Sequence, residues 1–159
     1  MHFDPWRDFD VIAFADAFQG GERPMQCAIL FIGGSPFAWR IGRLAATSLS
    51  ATEAEWFAQT LCSTLLQSNI PIIDFMGADI TLPIISFCDN SACVTISEKD
   101  MSTKRLKHVR TRMAYLQEQR DNGSLVILHL SKDAMIADIG TKVLPASSFH
   151  HFRQYLVWE

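Results

Sequence analysis

A chain of 159 residues, 48% hydrophobic and 19% charged, can bury a core without staples, which excludes an intrinsically disordered chain. The length fits one domain, read here as 1–159 with residues 1–8 as an N-terminal extension and 146–159 as a C-terminal helix. A net charge of −3 excludes a protein that coats nucleic acid through bulk charge, but it leaves room for a local basic face.

Apolar runs such as Cys27 to Gly34 are too short to span a bilayer, and Met1 to Phe9 lacks the apolar core of a secretory leader. The expectation is an intracellular chain that meets no membrane and is not secreted. Cys27, Cys62, Cys88 and Cys93 sit in apolar segments with no C-x-x-C pair among them, and are expected as buried free thiols.

Taken in chain order, Phe9 to Ala15 is predicted as a buried strand. A turn at Gln19 to Pro24 leads to a second strand, Met25 to Ile32. Gly33-Gly34-Ser35-Pro36 turns the chain into a third strand, Phe37 to Ile41, giving an antiparallel meander. Ser50 and Glu53 have the spacing of a capping box and open a long helix that is expected to reach about Ser68, before Pro71. Ile84 to Cys88 is a short apolar strand, and Asn90 to Glu98 a short helix. Ser102 caps a further helix to about Asp121, with Leu106, Val109, Met113 and Leu116 as its apolar stripe. Leu125 to Leu130 is a fifth strand, Asp133 to Ile139 a short helix and Ala146 to Leu156 a terminal one. This order predicts an α/β fold: a five-stranded mixed sheet, with strands 1–3 an antiparallel meander followed by parallel strands, flanked by helices.

Four acids fall where the pattern predicts burial. Asp16 follows the first strand and Asp89 the fourth, and carboxyl ends of strands border the ligand crevice of an open sheet. The two stand side by side if the sheet changes direction after the meander. Glu55 shares its helix row with Ala58, Cys62 and Leu66, so it points toward the sheet. Asp138 follows Met135-Ile136-Ala137, at a buried edge. Each of these acids, taken singly, also has a structural reading as a turn, cap or helix-dipole residue. Brought together they repel unless cations neutralise them, and two divalent ions about 3.5–4 Å apart suit such a cluster and favour phosphodiester hydrolysis.

The stretch Lys99 to Arg112 holds six of the fourteen Lys and Arg residues and a single acid, Asp100. Its Lys104, Arg105, Lys107, Arg110 and Arg112 can grip phosphates without reading bases, or can form a merely solvated helix face. His108 reads as a substrate contact or a packing residue. His129, at the fifth strand's end, reads as a proton shuttle or a satisfied strand-end histidine. Trp39 and Trp56 read as core rather than as base-stacking platforms.

Several local segments resemble the ribonuclease H domain of copia-type (Ty1/copia) retrotransposon polyproteins. Ser50-Ala51-Thr52-Glu53-Ala54-Glu55-Trp56 is similar to its Ser-x-x-Glu-Ala-Glu-Tyr segment. Cys88-Asp89-Asn90-Ser91-Ala92 is similar to its Cys-Asp-Asn-x-Ala strand end. Ala137-Asp138-Ile139-Gly140-Thr141-Lys142, followed by Leu144-Pro145, resembles its Ala-Asp-x-x-Thr-Lys motif. Lys107-His108-Val109 with Arg112 resembles its Lys-His-Ile segment, and Gly33 to Trp39 its Gly-Gly-x-Pro-Ile-Ser-Trp hairpin. The resemblance covers about Phe14 to Trp158. The chain departs from the pattern at Phe18, where the family has a second acid, and at Gly140, inside a predicted helix.

The resemblance implies the ribonuclease H-like fold and endonucleolytic cleavage of the RNA strand of RNA/DNA hybrids during retroelement reverse transcription. It implies two Mg²⁺ ions, with Mn²⁺ as substitute, held by Asp16, Glu55, Asp89 and Asp138 as both metal-binding and catalytic residues. Asp16 and Asp89 would bridge, Glu55 would also meet a ribose 2′-hydroxyl or its water, and Asp138 would complete the other shell. Asn90 and the basic helix with His108 would bind substrate. A reverse transcriptase domain of the same polyprotein is the implied partner, and the cytoplasm or a virus-like particle the implied location. The alternative is a catalytically inactive or domesticated nucleic-acid-binding domain of the same fold, with a protein-interaction domain as a third reading.

Overall fold

The structure, a computed structural model, describes residues 10–20, 22, 24–44, 48–78, 80–98 and 110–157. Its elements are β1 (Val11–Phe18), β2 (Met25–Ile32), β3 (Ser35–Arg43), α1 (Ala51–Phe75), β4 (Ile84–Cys88), α2 (Ser91–Glu98), α3 (Arg110–Asp121), β5 (Leu125–His129) and α4 (Ala146–Leu156). Two short 3₁₀ turns, Lys132–Ala134 and Ile136–Gly140, separate β5 from α4.

One sheet runs in the order β3-β2-β1-β4-β5. β1, β2 and β3 pair antiparallel, while β4 pairs parallel with both β1 and β5. This is the mixed sheet expected from the element order. The β2–β3 hairpin turns on Gly33 and Gly34, both at positive φ, a conformation that glycine adopts without a Cβ penalty. Pro36 sits on the edge strand β3, where a missing N–H costs least.

Strand alternation gives the sheet two buried faces. Val11, Ala13, Ala15 and Ala17 of β1 join Ala28, Leu30 and Ile32 of β2 under α1, which contributes Ala54, Ala58, Cys62, Leu66 and Ile73. The small β1 side chains let the helix lie close. The reverse face presents Cys27, Ile29 and Phe31, covered by Met135, Ile136 and Ala137 of the turn segment and by Phe152 of α4. All four cysteines are free and buried, as expected. No helix among the described residues is long and apolar enough to cross a membrane.

Several boundaries differ from expectation. β1 continues through Asp16 to Phe18, because β2 keeps pairing with it as far as Met25. The third strand is longer at both ends, and the short helix expected at Asp133 to Ile139 is two 3₁₀ turns. The helix expected from Ser102 is described only from Arg110 onward, so Leu106 and Val109 lie outside the described residues. Trp56 is buried as expected, but Trp39 is 65% exposed on the edge strand.

The largest difference is α1, which passes through Pro71 and ends at Phe75. Proline inside a helix removes one backbone hydrogen bond and crowds the preceding turn. Here Ile73 is fully buried two residues further on and holds the last turn against the core. Pro71 itself is exposed. Pro71→Ala is therefore expected to stabilise the protein by roughly 1–3 kcal/mol, read as a higher midpoint in urea denaturation.

Candidate metal centre

The β1–β4 ladder ends at the Phe14–Phe87 pair, whose ring centroids lie 5.2 Å apart. Two residues further along each strand, the same face belongs to Asp16 and Asp89. Strand alternation thus carries the two acids side by side past the last ladder pair. The Ile136–Gly140 turn packs on this face and delivers Asp138. One carboxylate oxygen each of Asp16, Asp89 and Asp138 lies within 4.8 Å of the other two. Asp16 is 1% exposed and Asp138 8%, while Asp89 is half-buried.

Glu55 arrives from the opposite layer. The Ser50 Oγ accepts the Glu53 N–H at 3.1 Å, and Glu53 Oε2 accepts the Leu49 N–H at 2.7 Å, so reciprocal capping fixes the start of α1. Glu55 lies just past the first turn of α1 and is 4% exposed. The Ala17 backbone hydrogen-bonds to it, and the Cys88 Sγ lies 3.8 Å from its Oε2.

Thr141 and Lys142, directly after the 3₁₀ turn, complete the centre. The Thr141 hydroxyl donates to Asp16 Oδ2. The Lys142 ammonium donates to Asp138 Oδ1 at 2.6 Å and to Asp16 Oδ1 at 3.2 Å. Sequence reasoning quoted both residues within a motif but gave neither a role. Their contacts to Asp16 join segments at opposite ends of the chain, and no local pattern encodes that.

The electrostatics are those of crowded, buried acids. Burial, reinforced by the Cys88, Asp16 and Asp89 charges, pushes the Glu55 carboxyl up to about 10. Burial also raises Asp138 to about 6, against the pull of its hydrogen bond to Lys142. For Lys142, burial works to lower the ammonium, yet its hydrogen bond to Asp138 and the charge of Asp16 leave it above the ordinary lysine value.

A carboxyl whose pKa is raised on folding gives stability that is fully present below its unfolded value of 4.5 and is lost as pH climbs toward 10. The metal-free protein should therefore weaken steadily through neutral pH. Glu55→Gln removes that slope and is expected to stabilise the metal-free protein at pH 8.5 by on the order of 1–3 kcal/mol, with little change at pH 5. Urea unfolding in EDTA at the two pH values checks this. An equal effect at both would show that Glu55 is not the group responsible.

A groove of about 550 Å³ opens beside the acids, lined by Phe18, Glu55, Asp89, Asn90, Lys132 and Lys142 among others; Asp16 and Asp138 do not line it. Asn90 caps α2, its Oδ1 accepting the Cys93 N–H at 3.0 Å, and also faces the groove. Phe18, at the family's second acid position, contributes a partly exposed ring to the groove wall. Arg110 is exposed at the start of α3, and the Arg112 guanidinium lies 4.1 Å from the centroid of the Phe57 ring on α1. Lys104, Arg105, Lys107 and His108 lie outside the described residues. His129 is exposed at the end of β5, in register with Cys88, and is not among the residues lining the groove; Lys132 and Lys142 are the cations there.

Gly140 has a packing role. A Cβ at this position would lie 2.6 Å from the Cys27 Sγ and 3.0 Å from the Ile41 Cδ1. Cys27 is the cross-strand partner of Asp16. The missing side chain therefore lets the turn settle onto β2 beside the acid that Thr141 and Lys142 bind.

No family model matches the chain. It is 25% identical over 144 residues to the retrovirus-related Pol polyprotein from transposon RE1 of Arabidopsis thaliana, an alignment covering 88% of this chain and 10% of that protein. It is 27% identical over 140 residues to the retrovirus-related Pol polyprotein from transposon TNT 1-94 of Nicotiana tabacum, covering 86% and 10%. The chain thus spans about a tenth of the length of these curated relatives. Among solved structures it is similar to LC11-RNase H1 in complex with RNA/DNA hybrid, with a TM-score of 0.60, 13% identity and coverage of 83% of this chain and 94% of that one. It is also similar to RNase H1 from the halophilic archaeon Halobacterium salinarum, with a TM-score of 0.59, 20% identity and the same coverage of 83% and 94%. The resemblance to the ribonuclease H domain of copia-type retrotransposon polyproteins holds on both counts: the chain has the ribonuclease H fold, and the proteins it is similar to in sequence are retrotransposon Pol polyproteins.

Proposed function

We propose that this chain is a ribonuclease H domain that cuts the RNA strand of RNA/DNA hybrids, using two Mg²⁺ ions for which Mn²⁺ can substitute. The observation that carries this reading is that one carboxylate oxygen each of Asp16, Asp89 and Asp138 lies within 4.8 Å of the others, beside a groove that Asp89 and Glu55 line. The donor set fits the ions: every donor is a carboxylate oxygen, the choice of hard divalent cations. Burial, reinforced by neighbouring negative groups, pushes the Glu55 carboxyl up to about 10, an environment that a bound cation would relieve. Asp16, Glu55, Asp89 and Asp138 would hold the ions. Bound there, such ions supply an activated water and a counter-charge for the leaving 3′-oxygen.

The chain's own residues do the rest. Thr141 fixes one oxygen of Asp16, so the carboxylate presents its other oxygen in a constant direction. Glu55 lines the groove and would meet a ribose 2′-hydroxyl, the group that distinguishes RNA from DNA. Asn90 and Lys132 line the same groove and would offer donors to the hybrid backbone. Arg110 and Arg112, with Lys104, Arg105, Lys107 and His108, would supply a phosphate-gripping segment. The partner proposed for it is a reverse transcriptase domain of the same polyprotein, and the proposed setting is the cytoplasm or a virus-like particle.

The test is cleavage of a labelled RNA/DNA hybrid with Mg²⁺ and with EDTA. RNA-strand cutting that requires the metal, with the DNA strand intact, is the expected result. Hybrid binding without cutting would favour the inactive-domain reading, and neither binding nor cutting would end the nuclease reading.

A further inference from the structure

The Lys142 ammonium bridges two nearly buried carboxylates contributed by distant segments, Asp138 at 2.6 Å and Asp16 at 3.2 Å. Acids this buried are costly to leave without counter-charge. Lys142 is tethered four residues after Asp138, behind a turn packed tightly on β2, so its backbone stays at the centre whatever the side chain does. The side chain is 26% exposed and lines the groove. Its flexible four-carbon stem gives the ammonium two destinations: the acids below and the groove above.

We propose that Lys142 is a built-in cation that occupies the acid cluster in the metal-free protein, competes with a divalent ion for Asp138 and Asp16, and turns into the groove when that ion binds. This rests on the proposed metal centre. No contact joins Lys142 to Asp89 or Glu55 in the set of ion pairs among the described residues. The ions are therefore inequivalent: one, drawing on Asp89 and Glu55, binds without displacing Lys142, and the other must break the 2.6 Å pair to Asp138. The displaced ammonium then faces the groove at the moment when a phosphodiester charge is there to receive it. Metal loading and substrate contact are coupled through one side chain.

The experiment is a Mn²⁺ titration of the full chain by calorimetry, without nucleic acid, comparing the wild type with Lys142→Met and Lys142→Arg. Lys142→Met should melt earlier without metal, yet bind the weaker Mn²⁺ about tenfold more tightly, because no pair has to be broken. Lys142→Arg keeps the charge and should bind Mn²⁺ like the wild type. Unchanged or weaker binding by Lys142→Met would overturn the proposal. Should Lys142→Met fail to fold, the wild-type Lys142 CεH₂ resonance, followed with diamagnetic Mg²⁺ in place of Mn²⁺, gives the same answer: it should move as the weaker ion binds, and a stationary resonance would refute competition. Neither readout requires cleavage. Tighter Mn²⁺ binding in a chain that never cuts hybrid would leave Lys142 in this role and remove the nuclease reading, whereas normal cleavage with unaltered Mn²⁺ affinity would do the reverse.

Discussion

Asp89→Asn is expected to lower Mg²⁺-dependent cleavage of an RNA/DNA hybrid by about three orders of magnitude or more, with little change in thermal stability. The substitution keeps the shape of the side chain and removes one charged ligand from a cluster whose oxygens lie within 4.8 Å of one another. Charge stabilisation at such a centre amounts to several kcal/mol, and each 1.4 kcal/mol, roughly, is tenfold in rate. Asp89 suits the test better than Asp16, because it is half-buried and stands outside the Lys142 ion pairs that tie Asp16 to the fold. Gel analysis of labelled hybrid gives the rate, and a melting curve gives the stability. A variant that cuts at the wild-type rate would remove Asp89 from the chemistry.

Gly140→Ala is expected to destabilise the protein by about 1–3 kcal/mol and to impair cleavage as well. The added Cβ meets the Cys27 Sγ at 2.6 Å, so the turn must lift away from β2. Lifting it moves Asp138, Thr141 and Lys142 together relative to Asp16, since all four are joined by hydrogen bonds. Cys27→Ala removes the offending sulfur, and the double variant should recover part of both losses. Urea unfolding of the two single variants and the double gives the coupling directly. Strict additivity would mean that Gly140 acts through something other than this contact.

Much of the fold was legible because alternation and helical periodicity report burial directly. Three strands with short turns could only form a meander, and the apolar row Ala58-Cys62-Leu66 placed Glu55 toward the sheet. The positions of Asp16 and Asp89 after apolar strands were enough to set them side by side, given the parallel β1–β4 pairing. What local rules missed was decided by tertiary contact. Pro71 ordinarily stops a helix, and only the burial of Ile73 carries α1 past it. The segment around Asp138 has too few residues to reveal a period, so a 3₁₀ turn and an α-helix read alike. Gly140 looked like a helix defect, and its reason is the Cys27 sulfur, which is far away in sequence. Lys142 stood in a motif but without a role, since a lysine after a turn is usually solvated and only the fold brings it to Asp16.

Mn²⁺ binding followed by electron paramagnetic resonance, on the wild type and on Asp16→Asn, Glu55→Gln, Asp89→Asn and Asp138→Asn in turn, probes most directly whether acids from four separate elements serve one cation centre. Saturable binding by the wild type, weakened by every one of the four substitutions, is the expected result. Binding that is absent from the wild type, or that survives the loss of Asp16 and Asp89 unchanged, would contradict it.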